Sequence, residues 1–219
     1  MIIILLGNVG VGKGTQGKLI MKKYNIPYFA TGDIFRENIE KSTPLGVKVK
    51  EIVRQGKLVS DELVNEIVFD KINNLENFIL DGYPRTLNQA LAFENFLKEK
   101  NKEVNIVLYI DVPEEIIIKR LSGRRICPKC GRIYNIYLDK PKKDEICDFD
   151  GEKLVTREDD KVDVIQKRID EFKQKTYPLV EFYEKRMKLC RINGNREVNE
   201  VFNDISKIID DYIEKQKRN

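Results

Sequence analysis

Five short apolar runs punctuate this chain, and between them lie longer stretches in which apolar positions recur every three or four residues. The runs are Ile2 to Leu6, Pro27 to Ala30, Phe78 to Leu80, Ile106 to Ile110 and Leu189 to Ile192. Their length and β-rich composition predict strands, and the intervening periodicity predicts amphipathic helices. Strands alternating with helices in this way imply right-handed βαβ units, so the pattern predicts an α/β fold around a parallel sheet. One intervening helix is well marked. Ser60 suits an N-cap, Asp61 and Glu62 favour the positive end of the first turn, and Leu63, Val64, Ile67, Val68, Ile72 and Leu75 form one stripe that should cover the sheet. A second stripe, Ile205, Ile208, Ile209, Tyr212 and Ile213, predicts a last helix docked on the core. Pro178 interrupts a helical pattern running from about Lys161 to Lys188, which predicts a bend near Tyr177.

Composition narrows the class. The 219 residues suffice for one core plus an insertion, and 41% hydrophobic with 35% charged residues describes a soluble globular chain. The 40 basic and 36 acidic residues leave a net charge of +4, too mild to argue for a nucleic-acid partner. The apolar run at the N-terminus is shorter than a secretory core and lacks a basic leader, and no stretch approaches a membrane span, so a cytoplasmic location is expected. The chain contains no histidine. That excludes an imidazole general base, a Ser-His-Asp triad and any histidine-bearing metal site.

Gly7-Asn8-Val9-Gly10-Val11-Gly12-Lys13-Gly14-Thr15 follows the first apolar run directly. Glycines at this spacing let the backbone turn tightly and aim successive N–H groups inward, at the positive end of the following helix. Lys13 can then reach terminal phosphates, and the Thr15 hydroxyl can meet phosphate or a magnesium ion. The motif departs from the general phosphate loop in placing Gly14 after the lysine and the hydroxyl one position later.

A second fixed point is Phe78-Ile79-Leu80-Asp81-Gly82-Tyr83-Pro84-Arg85-Thr86. Asp81 ends a strand expected beside the phosphate loop, where a carboxylate can hold a magnesium-bound water, and Arg85 can fork onto a phosphate. Taken alone, Asp81 reads equally well as a turn residue before glycine. Thr31-Gly32-Asp33-Ile34-Phe35-Arg36 adds a third strand end with a hydroxyl and a guanidinium, which suggests a second anion site opposite the first.

Cys127-Pro128-Lys129-Cys130-Gly131 and Cys147-Asp148-Phe149-Asp150-Gly151 are two knuckles of the form ligand-x-x-ligand-Gly. The spacing suits a tetrahedral zinc ion held by Cys127, Cys130, Cys147 and Asp150, with no open position and hence a structural role. Cys190 is the rival fourth ligand, but it falls in a predicted strand as a small buried hydrophobe. The spacing does not distinguish zinc from another thiophilic metal such as iron.

The combination of Gly7 to Thr15, Thr31-Gly32-Asp33 with Arg36, Asp81 to Thr86 with Gln89, Gly123-Arg124-Arg125 and Arg157-Glu158-Asp159-Asp160 resembles the adenylate kinases of the long-lid type, across the whole chain. Some members of that family bind structural zinc through three cysteines and an aspartate. The resemblance implies a P-loop kinase fold, with a five-stranded parallel sheet flanked by helices. It further implies a core of residues 1–29, 60–121 and 161–219, an AMP-binding segment at 30–59 and a zinc-bearing lid at 122–160. The implied activity is reversible Mg²⁺-dependent phosphoryl transfer from ATP to AMP, giving two ADP, by a monomer that engages neither nucleic acid nor membrane.

By that likeness Thr31, Arg36, Lys57, Leu58, Val59, Gly82, Tyr83, Pro84, Arg85 and Gln89 hold AMP, with Arg157 and Arg168. Gly10, Val11, Gly12, Lys13, Gly14, Thr15, Arg124, Ile133, Tyr134 and the backbone at Arg196 hold ATP. Lys13, Arg120, Arg124, Arg157 and Arg168 surround the transferring phosphate, and Asp159 and Asp160 set arginine geometry and lid closure. Arg125 and Arg132 read as solvated charges. The family usually carries proline where this chain has Val9.

Planar guanidinium donors suit a reaction that asks for positioning and charge stabilisation, and a closing lid would exclude water as a competing nucleophile. Two other classes remain: a kinase for UMP, CMP or another small acceptor, and a zinc ribbon that binds nucleic acid. Nine basic and nine acidic residues between Arg124 and Asp160 give such a ribbon no positive field.

Overall fold

Strand β1 (Ile2–Leu6) is apolar at every position because both of its faces are covered, and all five residues are buried. In the computed structural model, which describes residues 1–218, it is followed by α1 (Lys13–Tyr24), β2 (Tyr28–Ala30), α2 (Thr31–Glu40), α3 (Pro44–Arg54) and α4 (Asp61–Ile72). Next come β3 (Phe78–Asp81), α5 (Leu87–Glu99), β4 (Ile106–Asp111), α6 (Glu114–Ser122), β5 (Arg124–Ile126) and β6 (Ile133–Asn135). A 3₁₀ turn at Glu158–Asp160 leads into α7 (Val162–Glu171), α8 (Pro178–Glu184), β7 (Leu189–Asn193) and α9 (Val198–Arg218).

The main sheet has the order β2-β3-β1-β4-β7, every pair parallel, as the alternating pattern predicts. Alternate residues of β1 serve two cores. Ile2, Ile4 and Leu6 pack with Phe78, Leu80 and Tyr109 on one face, and Ile3 and Leu5 with Ile79, Leu108 and Ile110 on the other. The α4 stripe lands as expected, with Val64, Val68 and Ile72 buried and Leu63, Ile67 and Leu75 partly buried against the first core. The α9 stripe covers the second through Ile205 and Ile209. The register sets Leu5 opposite both Asp81 and Leu108, so the carboxyl ends of β1, β3 and β4 lie side by side.

Two local features hold with an added detail. Ser60 occupies the N-cap of α4, but its hydroxyl makes no capping bond. The bend near Tyr177 is a π-helical turn over Phe172–Thr176. Pro178 has no N–H to donate, and the bond before it closes one residue wider, with Tyr177 N donating to Phe172 O at 2.8 Å.

Off the sheet, β5 and β6 form an antiparallel ribbon extended by bridges such as Ile126 to Val155 and Ile146 to Lys153. Its interior consists of Cys127, Tyr134, Cys147 and Leu154. Residues 31–54 fold as a helical pair, and Thr43 caps α3 by accepting from Gly46 N at 3.1 Å, with Pro44 in the first turn.

Candidate active site

The loop after β1 closes onto α1 through Gly12, whose φ of +101° an L side chain rarely adopts. No acidic residue stands in the first turn of α1, so its free N–H groups and positive dipole end face the cleft without a carboxylate from that turn. The side chain of Lys13 folds back across the loop and donates to Gly7 O at 2.8 Å and Asn8 O at 2.7 Å. Burial lowers its pKa from 10.5 to about 8, aided by the nearby Arg85, Arg168 and Arg124 and opposed by Asp81. The ammonium therefore sits where an anion would be welcome. Thr15 is exposed at the same end of α1.

Asp81 closes β3 beside this loop, and Tyr28 donates its hydroxyl to Asp81 Oδ2 at 2.8 Å. Desolvation and the Asp81 charge both raise the Tyr28 pKa, so the phenol remains a donor that steers one carboxylate oxygen and leaves the other available.

Arginines from separate elements converge across the cleft. Arg124, from β5, grips Asp160 with two parallel bonds of 2.7 and 2.6 Å. Arg168, on α7, donates to Asp159 O at 2.8 Å and to Asp160 Oδ1 at 3.0 Å, and lies 3.1 Å from Asp159 Oδ2. Arg36, on α2, bonds Asp33 at 2.6 Å and lies 3.9 Å from Asp159. Arg157 lies 3.9 Å from Asp33, and Arg85 Nε donates to Gly82 O at 2.9 Å. Burial, reinforced by neighbouring arginines, lowers the pKa of Arg85 and Arg168 and brings Arg157 down to about 10. For Asp159, burial pushes upward, but Arg168 with Arg36, Arg124 and Arg157 overrides it and holds the carboxyl below its usual range. The side-chain cations outnumber the carboxylates that face them, and the balance is what several phosphates would supply.

Two clefts meet at Arg85 and Arg168. One, of about 580 Å³ including its open mouth, has walls from Phe35, Val53, Leu58, Val59 and Val64, with Gln89 among its lining and Arg36, Lys57, Arg85 and Arg168 as its cations. That combination suits a planar base with a phosphate attached. The other, of about 490 Å³, runs over Gly7, Val9 and Lys13 to Pro84, Phe172 and Thr176.

A family model for adenylate kinase matches residues 5 to 188. The chain belongs to the adenylate kinase family. The adenylate kinase of Clostridium tetani is 46% identical over 212 residues, covering 95% of this chain and 98% of that protein. That of Clostridium novyi is 45% identical over 96% of this chain and 99% of its own, and that of Petrotoga mobilis 43% over 95% and 97%. As a member of the adenylate kinase family, the chain is a nucleoside monophosphate kinase that works on magnesium-bound nucleotide. Among the described residues, no helix is long and apolar enough to cross a membrane.

The structure brings Lys13, Arg36, Arg85, Arg124, Arg157 and Arg168 to one region, while several other expected residues stand elsewhere. Arg120 donates to Gly194 O at 3.0 Å and Val11 O at 3.5 Å, so it braces the phosphate loop against the end of β7 and does not join the arginine cluster. Arg196 is exposed and paired with Asp204, and Ile133 lies on the ribbon surface. Tyr134 is buried in the ribbon, with its hydroxyl 3.4 Å from Cys147 Sγ and accepting from Asp148 N at 2.9 Å. Tyr83 is fully buried against Phe69 and Phe93, after which the chain turns through a cis bond to Pro84. Thr31 donates to Gly82 O at 2.9 Å, and Thr31, Lys57, Leu58, Val59 and Gly82 line the first cleft.

The sequence alone assigns no site role to Thr176, whose hydroxyl donates to Arg85 O at 2.9 Å, or to Asp61, whose position in the first turn of α4 marks only a helix-dipole charge. Asp61 instead accepts from Thr86 Oγ1 and from Gln89 Nε2, both at 2.8 Å. No local motif marks either contact.

Cys127, Cys130, Cys147 and Asp150 place one donor atom each within 4.8 Å of one another. Cys130 Sγ and Cys147 Sγ are 3.6 Å apart, and Cys127 Sγ lies 3.3 Å from both oxygens of Asp150. Zinc bonds of about 2.3 Å to sulfur and 2.0 Å to oxygen in a tetrahedron require similar separations. The N–H of Cys130 also points at Cys127 Sγ at 3.4 Å, a donor that steadies a thiolate. The donor set therefore fits zinc. Cys190 is on β7 opposite Leu108, packed against the second core and remote from the ribbon knuckles.

Proposed function

We propose that the chain transfers one phosphoryl group reversibly from MgATP to AMP, giving two ADP, and so balances the adenine nucleotides. The observation that carries this reading is the excess of cations around the two clefts: Lys13 from the phosphate loop, with Arg36 from α2, Arg85 from the turn after β3, Arg124 from β5, Arg157 from the turn before α7 and Arg168 from α7 itself. Phosphoryl transfer needs little covalent help, so catalysis reduces to alignment and neutralisation of charge.

In this reading the N–H groups of Gly10 to Thr15 and the Lys13 ammonium hold the ATP phosphates, and the second oxygen of Asp81 would hold a water of the magnesium ion. Arg120 braces the loop through its bonds to Val11 O and Gly194 O, and the ATP contacts expected at Ile133, Tyr134 and the backbone at Arg196 fall on the ribbon and on the turn after β7. Arg36 and Arg85 take the AMP phosphate, and the base lies against Thr31, Lys57 to Val59 and Gln89. Arg124, Arg157 and Arg168 close on the transferring group. Asp159 and Asp160 hold those guanidiniums in fork geometry until phosphate oxygens replace them.

Residues 30–59 then form the AMP-binding segment, 122–160 a lid, and the remainder a core that functions as a monomer. Cys127, Cys130, Cys147 and Asp150 would hold one structural zinc ion, which supplies folding energy to a ribbon with almost no apolar interior.

A coupled assay with MgATP and a panel of nucleoside monophosphates tests the reading. ADP formation from AMP that requires a divalent cation is expected. Turnover with UMP or CMP and none with AMP would overturn the acceptor assignment.

A further inference from the structure

Gln89 can hydrogen-bond in either of two senses, because its amide carries a carbonyl and an NH₂ of nearly equal size. Its surroundings permit only one. The N–H of Arg85 donates to Gln89 Oε1 at 2.7 Å, and a backbone N–H cannot accept. Gln89 Nε2 donates to Asp61 Oδ1 at 2.8 Å, and an ionised carboxylate cannot donate. Asp61 is itself pinned. The Thr86 hydroxyl accepts from Gln89 N at 3.1 Å and so directs its proton to Asp61 Oδ2 at 2.8 Å. Gln89 is 2% exposed, and water cannot freely replace these partners.

We infer that Asp61 is a positioning residue that sets the acceptor-base specificity of this kinase by fixing the sense of the Gln89 amide, so that a 6-amino purine is accepted and a 6-oxo purine is refused. The inference rests on the proposed AMP pocket, in which Gln89 faces the base. With the Arg85 and Asp61 bonds made, the amide retains one N–H and one carbonyl lone pair. An adenine edge offers the matching pair, an acceptor at N1 and a donor at the 6-amino group. A hypoxanthine edge offers the reverse, a donor at N1 and an acceptor at O6. To bind it, Gln89 must turn over, setting its NH₂ against the Arg85 N–H and its oxygen against the Asp61 carboxylate. Two buried mismatches result, and Asp61 is the source of one.

Asp61→Asn removes that mismatch at almost constant shape, since the new amide can itself rotate and present NH₂ to a reversed Gln89. The measurement is kcat/KM for AMP and for IMP at saturating MgATP, with a thermal melt of each variant. In Asp61→Asn the AMP to IMP ratio is expected to fall about tenfold or more, through the KM of the acceptor. Asp61→Ala should lower the ratio as well. A purely structural role would shift both substrates in parallel, and a wild-type ratio in Asp61→Asn overturns the inference.

Gln89→Ala separates the two levels of the argument. If it collapses the ratio while Asp61→Asn preserves it, the pocket stands and Asp61 does not set the specificity. If Gln89→Ala leaves the acceptor KM and the ratio at wild-type values, the pocket assignment fails and the inference fails with it.

Discussion

Lys13 is a charged group held under pressure. The unfolded chain keeps its proton up to about pH 10.5 and the folded, ligand-free protein only to about 8. Between those values the unfolded state binds more protons, so through this group the stability of the free protein rises with pH. Nucleotide reverses the balance, because phosphate oxygens favour the ammonium. ATP binding near pH 8.5 should therefore take up a proton, and ATP affinity should decline above pH 8. Calorimetry in buffers of different ionisation enthalpy reads the uptake directly, and a buffer-independent heat would refute it. Lys13→Ala should nearly abolish turnover.

The arginines divide by cleft. Arg85→Ala should mainly raise the KM for AMP, and Arg124→Ala should damage ATP handling or kcat, each by at least about tenfold, or about 1.4 kcal/mol. Identical kinetic profiles for the two variants would sink that division. At this scale the motif residues were legible because a phosphate loop is built from neighbours in sequence. Asp61 and Thr176 were not, because their partners Gln89 and Arg85 lie 28 and 91 positions away.

At the scale of elements, α2 and α3 make the wall of the first cleft, and they cross at Gly46. A Cβ there would meet Asn38 O at 2.0 Å, a backbone atom that can yield only by moving α2. Gly46→Ala should therefore displace Phe35 and Arg36 together, raising the KM for AMP more than that for ATP. Equal effects on the two substrates would show that the displacement is not confined to this wall. The strands and the α4 and α9 stripes were readable from period alone, since a sheet covered on both faces leaves little freedom in which residues are apolar. The π turn before Pro178 was visible only as a bend, because proline reports a missing donor and not how the preceding carbonyls are satisfied.

For the whole molecule, the ribbon and the sheet draw their stability from different sources. The sheet has two extensive apolar cores, while the ribbon encloses four residues, two of them cysteines of the metal cluster. About one zinc ion per chain is expected, and a chelator should abolish amide exchange protection in residues 124–157 at temperatures where β1 and β4 remain protected. Cys147→Ser should reproduce that loss and Cys190→Ser should not. Protein purified without chelator but free of metal would overturn the site.

The position of β1 has a bearing on how the chain comes off the ribosome. It lies in the middle of the sheet, yet both strands that flank it, β3 and β4, are encoded downstream, beginning at Phe78 and Ile106. At about 5–20 residues per second, several seconds separate the synthesis of Leu6 from that of Phe78. During that interval five consecutive apolar residues have no sheet to join. Translation speed over the first hundred codons, and the chaperones that meet the emerging chain, therefore bear on how long this run stays exposed.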